Sequence, residues 1–473
     1  ARFGRTLGLH EPFIYKVVEA VVKSMGEQFP EIKEKQNHIE RVIKGEEESF
    51  NQTLDRGLEI FESVIQEIGH SKAFPGEDAF KLYDTFGFPL DLTEMLAAER
   101  GLKVDGGMFE ELMREQRDRA RQSAPRIAFA KEWDLPIDES KHAEHKTEFV
   151  GYRADKYNGI VWTYGDNLVR VDWTPFYAES GGQVGDTGEI VGNDFRFIVQ
   201  DTKKDGNLIN HYGQSEREYD SRKILGKEVN LIIDAPRRRN IEKNHTATHL
   251  LHEALRITLG EHLHQQGSLV APDRLRFDFN HFEKITPDQI RKIEDIVNEK
   301  IALDLPVNAI NDPKDWLTID EAKRQYPKIK MFFGEKYGDK VRVVEVKDFC
   351  AELCGGTHVK NTKDIQLFKI ISEASIASGI RRIEAVTGEG LNQHIQKLIE
   401  KAGEMDAQIE KLIIEKEELE KQLGQHTKVE HSTRPSLGKV TLPSGSISPK
   451  VVDEVEQAIQ ERETVIENVA KST

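Results

Sequence analysis

The residues of this chain best able to do chemistry are His245, His249, Cys354 and His358. They stand as two short pairs, His-Thr-Ala-Thr-His and Cys-Gly-Gly-Thr-His, with a long stretch of chain between them. On a helix, positions i and i+4 share one face, so His245 and His249 can aim two imidazoles at one point. A cysteine on a Gly-rich turn can wrap the same point and deliver His358. Zinc takes imidazole nitrogen and thiolate sulfur in a tetrahedral shell. The four residues therefore suggest a Cys1His3 site joined across two segments. Each pair also fits polar residues that merely satisfy one another, and spacing by itself leaves both readings open.

The surrounding patterns describe what must position these side chains. Residues 1–125 read as helical, with apolar positions recurring in Ile14-Val17-Val18-Val21-Val22 and in Phe50-Leu54-Leu58-Phe61-Val64-Ile65. Thr85-Phe-Gly-Phe-Pro89 interrupts these helices with a turn, and Gly101, Gly106 and Gly107 mark a loop before a charged helix at 108–122. Over 126–235 the period shortens. Runs at 159–163, 168–171, 188–191, 195–199 and 229–233, separated by Gly and Asp/Asn turns, predict a small β-barrel. Its Gly-rich loop, Glu179–Gly188, does not lead from a strand into a helix as a phosphate loop should.

Residues 236–388 mix helix and strand, an α+β pattern. Asn244 is a natural N-cap for the helix carrying the first histidine pair. Strands are expected at 275–279, 341–346 and 383–387. From Leu391 a heptad takes over. Leu391, Leu398, Met405, Leu412 and Leu419 fill one position, and Ile395, Ala402, Ile409 and Leu423 the other, with Lys416 breaking the second. This predicts a coiled-coil or helical-hairpin arm over 389–473, with a connector near 426–449 and a returning helix at 450–470. The fold class is thus multidomain α+β: a helical region, a barrel, a zinc-binding domain and a helical arm.

Two cysteines in 473 residues provide no disulfide framework and suit a reducing compartment. No apolar run approaches membrane-span length. A formal charge of −16 argues, taken alone, against a nucleic-acid partner. Much of that charge, however, sits in Glu-rich segments at 27–66 and 400–423, while basic clusters survive at Arg237-Arg238-Arg239 and Arg381-Arg382. The first cluster fits a solvated face as well as an RNA contact; the second fits RNA binding or structural ion pairs.

Asn244-His-Thr-Ala-Thr-His-Leu-Leu251, Gln265-Gln-Gly-Ser-Leu-Val270, Arg276-Phe-Asp-Phe279, Glu352-Leu-Cys-Gly-Gly-Thr-His-Val359 and Gly379-Ile-Arg-Arg-Ile-Glu-Ala-Val-Thr-Gly388 occur in this order. Together they resemble the editing domain of alanyl-tRNA synthetase, a class II enzyme. Freestanding editing hydrolases and the second domain of threonyl-tRNA synthetase share the metal motifs, and the amino-terminal third separates these possibilities. Ala79-Phe-Lys-Leu-Tyr-Asp-Thr-Phe-Gly-Phe-Pro-Leu-Asp-Leu-Thr93 resembles the stretch that follows the aminoacylation core, and Ala1-Arg-Phe-Gly-Arg-Thr-Leu-Gly8 is similar to the tRNA-binding region. The resemblance covers roughly residues 1–425. The chain opens on Ala inside this match, so the expectation is a fragment without the core that binds ATP and alanine.

The resemblance implies a cytoplasmic protein that binds tRNA(Ala) and one zinc ion and hydrolyses Ser-tRNA(Ala) and Gly-tRNA(Ala). A zinc-stapled tRNA-binding module without hydrolysis is the alternative. Aminoacylation with ATP, and possible dimerisation, belong to the full-length enzyme. Gln265 sits where the resemblance implies a residue lining the amino-acid pocket, though it also fits an exposed helix-end Gln. The flanking residues add two further catalytic candidates: Thr246, which with Thr248 flanks the first ligands, one hydroxyl of the two reaching the substrate or both only bonding their own helix backbone; and Asp278, alternating with Arg276 in a strand and orienting a ligand histidine. Three histidines and a cysteine close a four-coordinate shell, which favours zinc as a positioning element over zinc as a hydroxide source. Cys350, a rival ligand on spacing, departs from the family pattern and is read as a bystander thiol. The implied tRNA contacts are Arg2, Arg5, Arg381, Arg382 and Asp84, the last reaching the G3·U70 pair of the acceptor stem or only capping a turn, with Asp91 as the fallback.

Overall fold

The structure is a computed structural model that describes residues 4, 7–9, 11–69, 72–123, 146–165, 167–331, 338–377, 379–422 and 449–472. It divides into two compact units, Ala1–Asp138 and Glu139–Thr473.

The first unit is built on helices α1 (Val17–Met25), α2 (Pro30–Glu34), α3 (Gln36–Ile68), α4 (Gly76–Phe86), α5 (Leu90–Glu99) and α6 (Gly106–Ser123). The apolar stripe predicted on α3 buries Leu54, Phe61 and Val64 against Phe74, Leu82, Phe88 and Leu96. The rings of Phe61 and Phe74 stack 4.9 Å apart. Helix α4 stops where the sequence places a turn. Gly87 adopts φ 67°, a left-handed conformation open to glycine, and the N–H groups of Gly87 and Phe88 close onto Tyr83 and Leu82. The Gly-rich loop expected next contains β2 (Lys103–Val104), which pairs in parallel with β1 (Ala73–Phe74) just before α4, a pairing the sequence did not signal. Two residues per strand are too few to show a period.

The second unit opens with a minor parallel pair, β3 (Glu148–Phe149) and β6 (Trp173–Thr174), beside a closed six-stranded barrel. The barrel strands are β4 (Lys156–Gly165), β5 (Leu168–Val171), β7 (Gly188–Val191), β8 (Arg196–Asp205), β9 (Leu208–Ser215) and β10 (Glu228–Ile233), in the order β10-β4-β5-β9-β8-β7. Alternate residues Val229, Leu231 and Ile233 of β10 meet Val161, Val169 and Phe197 in the interior. Strand β9 carries no hydrophobic signature. Its buried positions include Asn210 and His211, which are satisfied by Arg170 and by Thr174 and Val169.

Helix α7 (Ala235–Leu259) leaves the barrel and packs on an antiparallel sheet ordered β11-β12-β17-β16: β11 (Gln265–Val270), β12 (Leu275–Asn280), β16 (Phe368–Ala377) and β17 (Ile380–Thr387). Helix α8 (Pro287–Ala302) joins the same core. A separate sheet, β13 (Val307–Ala309), β14 (Val343–Val346) and β15 (Cys350–Leu353), ends at Cys354. The heptad forms α9 (Gly388–Gln422), and α10 (Pro449–Ser472) returns along it; Leu391, Ile395, Val452 and Val455 form one buried cluster, and Ala402, Met405 and Ile459 another. Arg462, almost fully buried, closes the hairpin on Asp406 at 2.8 and 3.1 Å. The expected connector at 426–449 lies almost wholly outside the described residues. No described helix is long and apolar enough to cross a membrane.

Candidate metal centre

Helix α7 begins nine residues before Asn244. Asp234 is the N-cap, its carboxylate accepting from the Arg237 N–H, and a proline occupies the first turn. Asn244 is instead buried within the helix. Its amide donates to the Ala271 carbonyl at 2.7 Å and accepts from Thr387 Oγ1 at 2.7 Å, tying α7 to the sheet. With that helix pinned, His245 and His249 project from one face while Leu250, Leu251, Ala254 and Leu255 enter the core.

The Cys354–His358 turn is held from below by Arg342. Its guanidinium donates to the carbonyls of Cys354 (2.9 Å) and Gly356 (2.7 Å) and stacks on the Tyr152 ring at 4.1 Å. Tyr152 Oη donates to the Gly355 carbonyl. Gly356 is required by close approach, since a Cβ there would fall 2.0 Å from the His245 ring.

The ligand atoms of His245, His249, Cys354 and His358 all lie within 4.8 Å of one another. Cys354 Sγ is 3.3 Å from Nε2 of both His245 and His358. The Nδ1 atoms face oxygen atoms on the far side. That of His245 meets Gln183 Oε1 at 2.7 Å, that of His249 lies 3.0 Å from Glu352 Oε2, and that of His358 meets Thr246 Oγ1 at 3.2 Å. Because Thr246 Oγ1 donates to the Glu242 carbonyl at 3.0 Å, it is left to accept from His358. Acceptors on Nδ1 place the proton there and leave each Nε2 lone pair for a metal. Burial opposes a Cys354 thiolate, but His245, His358 and His249 outweigh it and draw the thiol well below its ordinary pKa. Burial likewise opposes the Glu352 carboxylate, which His249, Lys330 and His252 nevertheless keep ionised far below its ordinary range. This His/Cys cluster has the donors and the arrangement to hold a metal ion.

Cys350 belongs to the hydrophobic core of β15 rather than to the cluster, and burial pushes its thiol up to about 12. Gln265 opens β11, half-buried, and lines a cavity of about 100 Å3 together with His245, His249, Cys354, Thr248 and Ser268. Thr246, expected at the substrate, is fully buried and orients His358; Thr248, one turn half away, borders the cavity while its hydroxyl donates to the Asn244 carbonyl. Asp278, expected behind a ligand histidine, is taken by Arg382 at 2.7 and 2.8 Å, because β12 and β17 pair these two residues in register.

Two residues that sequence reasoning missed complete the centre. Gln183, fully buried, comes from the Gly-rich barrel loop and also binds Thr357 through its backbone N–H (2.9 Å) and hydroxyl (3.0 Å). Glu352 joins His249, His252 and Lys330, the last at 3.0 Å. Both lie within motifs singled out in the sequence, but an acceptor role for either has no spacing of its own.

The expected tRNA contacts are dispersed. Arg2 and Arg5 lie outside the described residues. Arg381 is buried and paired with Glu373 across the β16–β17 ladder, which removes it from solvent, and Arg382 is the Asp278 partner with part of its side chain exposed. In the upstream cluster, Arg238 is buried on Asp186 and on the carbonyls of Gly151 and Pro175, and Arg239 pairs with Asp155 and Glu242. Asp84 is exposed in the last turn of α4 and accepts from Gln116 of α6, while Asp91, also exposed, accepts from the Leu92 N–H in the first turn of α5.

A family model described as tRNA synthetases class II (A) matches residues 1–237, and one described as threonyl and alanyl tRNA synthetase second additional domain matches 341–384. An alanine–tRNA ligase of Thermoanaerobacter sp. (strain X514) is 43% identical over 412 residues, covering 84% of this chain and 46% of that protein. Those of Chlorobium chlorochromatii (strain CaD3) and Chlorobaculum tepidum are 42% and 43% identical, covering 90% and 89% of this chain and 50% of each relative. The chain spans about half the length of the curated relatives it matches. With the class II model running through the helical unit and the barrel, and the additional-domain model covering the turn that carries Cys354 and His358, the chain belongs to the alanine–tRNA ligase family.

Proposed function

We propose that this chain binds tRNA(Ala) and proofreads it, hydrolysing the ester of Ser-tRNA(Ala) and Gly-tRNA(Ala) while sparing Ala-tRNA(Ala). The observation that carries the reading is the cavity of about 100 Å3 bordered at once by Gln265 and by three members of the His/Cys cluster. It suits a small aminoacyl group. The Gln265 amide can both donate to and accept from a serine hydroxyl. A synthetic pocket for alanine discriminates weakly against one added hydroxyl or one missing methyl, so a second, hydrolytic site is the physical remedy.

Three imidazole nitrogens and one thiolate fit zinc. Bound zinc supplies an electrophilic centre for the ester carbonyl or the substrate amine. The protein's own contribution is to hold that centre rigid. Gln183, Thr246 and Glu352 orient the histidines, and Arg342 with Tyr152 fixes the turn bearing Cys354. Residues 1–125 are assigned to the acceptor stem, Asp84 to its G3·U70 pair, and aminoacylation with ATP and any dimerisation to the full-length cytoplasmic enzyme.

The test is deacylation of Ser-tRNA(Ala), Gly-tRNA(Ala) and Ala-tRNA(Ala) by this chain, with and without a chelator. The first two are expected to be cleaved, and zinc to restore what chelation removes. Cleavage of all three at one rate refutes the reading. Binding of tRNA(Ala) with no cleavage of any leaves a zinc-stapled RNA-binding module.

A further inference from the structure

Behind the His/Cys cluster lies a buried ion pair that contributes no ligand. Glu352, on β15, faces His249 Nδ1 through Oε2 at 3.0 Å. Its other oxygen, Oε1, lies 3.0 Å from both His252 Nδ1 and Lys330 Nζ. Lys330 also reaches Glu253 Oε2 of α7 at 2.6 Å, and its side chain is only 5% exposed. It is neither a member of the ligand set nor part of the small cavity's lining.

Taking an ammonium out of water is expensive, and well-packed apolar side chains in place of a buried ion pair are often as stable or more so. Packing alone therefore gives no reason for a lysine here. The segment that delivers Lys330 holds it in one place. Between β13 and β14 the chain makes an excursion with its own apolar cluster, in which Ile319, Ala322, Tyr326 and Ile329 pack on Val341, Val343 and Leu353. Lys330 then runs beside β15 as a parallel bridge to Glu352. Its N–H donates to the Ala351 carbonyl at 3.0 Å, and its carbonyl accepts from the Leu353 N–H at 3.1 Å. These two backbone bonds bracket Glu352 and set the ammonium opposite that carboxylate. Burial opposes the ammonium, yet Glu352 and Glu253 hold its pKa above the ordinary lysine value.

We infer that Lys330 is a positioning residue of the metal centre: by holding Glu352 Oε1 it keeps Oε2 aimed at His249 Nδ1, and so fixes the ring that offers Nε2 to the metal. The orientation of a ligand histidine by the acceptor behind it is thereby extended one residue further, to a cation on a separate segment. The inference rests on the proposed binding of zinc by the cluster, and zinc binding is measured apart from cleavage.

The test measures zinc affinity of the whole chain, by competition with a chromophoric chelator, in the parent, Lys330→Met, Glu352→Gln and the double variant. Lys330→Met is expected to weaken zinc about tenfold, the lower end of what losing an outer partner of a ligand costs. In the Glu352→Gln background the same change is expected to cost nothing, because the group through which Lys330 acts is gone. The d–d absorption of the cobalt(II)-loaded chain, which reads ligand geometry, is expected to shift on Lys330→Met in the parent and to stay fixed in the Glu352→Gln background. An equal loss of affinity in both backgrounds overturns the inference, as does parent-like affinity and spectrum in Lys330→Met, or a parent that binds no zinc. If Lys330→Met leaves Glu352 so poorly paired that the chain does not fold, Glu352→Gln and the double variant decide the matter. Equal zinc affinity in those two supports action through Glu352, and a further loss in the double variant overturns it. Lys330-dependent zinc affinity in a chain that cleaves no mischarged tRNA upholds Lys330 and removes the hydrolytic reading alone.

Discussion

Gln183 Oε1 accepts a hydrogen bond from His245 Nδ1 at 2.7 Å across 62 residues of sequence, joining a barrel loop to the metal cluster. The same oxygen accepts from the Thr357 N–H at 2.9 Å, so one buried amide orients a ligand and anchors the turn that supplies two others. Replacing it with Leu, similar in size but unable to accept, is expected to lower zinc affinity about 10–100-fold. Competition with a chromophoric chelator measures this, and unchanged affinity would remove Gln183 from the centre.

Purified protein is expected to contain about one zinc per chain, the load of a single four-ligand site. Cys354→Ala should lose most of it. Cys350→Ala should keep it, because the Cys350 thiol is buried in the core and held protonated with a pKa near 12. Retention in the first variant with loss in the second would transfer the ligand role to Cys350.

Gln265→His places a larger ring in a cavity of about 100 Å3. Deacylation of Ser-tRNA(Ala) is expected to fall about tenfold or more in kcat/KM, with zinc content intact. A rate equal to the parent's would show that Gln265 does not touch the aminoacyl group.

Stability should depend on pH through His211, fully buried in the barrel. Burial draws its pKa from 6.5 down to about 4, and the bond to the Val169 carbonyl only partly opposes this. The unfolded chain therefore binds the extra proton. The contribution, ~3 kcal/mol, is complete above about pH 6.5 and is lost as pH falls toward 4. His211→Gln should melt lower than the parent at pH 8, yet lose less stability between pH 6.5 and 4. Parallel melting curves for the two proteins across that interval would exclude His211 as the titrating group.

Asp84 accepts from Gln116 on an exposed surface, so Asp84→Asn should leave the melting temperature nearly unchanged. If its carboxylate reads a guanine amine in the wide groove of A-form RNA, the variant narrows the preference for G3·U70 over a G·C acceptor stem by about 1–3 kcal/mol. Binding titrations with the two stems decide it. A large fall in melting temperature with the preference preserved would make Asp84 a structural residue.

Local regularities carried much of this protein in plain text. The stripe through Leu54 and Phe61, the alternation of Val229, Leu231 and Ile233, the heptad from Leu391 and the two four-residue metal spacings each repeat with the period of the element that holds them, so neighbouring residues suffice to read them. What only the tertiary structure decided is which buried polar group satisfies which. Gln183 and Thr357 meet across 174 residues, Asp278 meets Arg382 across 104, and Arg238 meets Asp186 across 52. Such partners are fixed by strand register and by the cost of burying an unpaired polar atom, and neither leaves a period in the chain. The same cause explains Asn244, whose local chemistry suits an N-cap but whose amide is consumed by Ala271 and Thr387 in the helix interior. It also explains the arginine clusters, since the chain shows where charge is placed, while folding determines whether a carboxylate or solvent receives it.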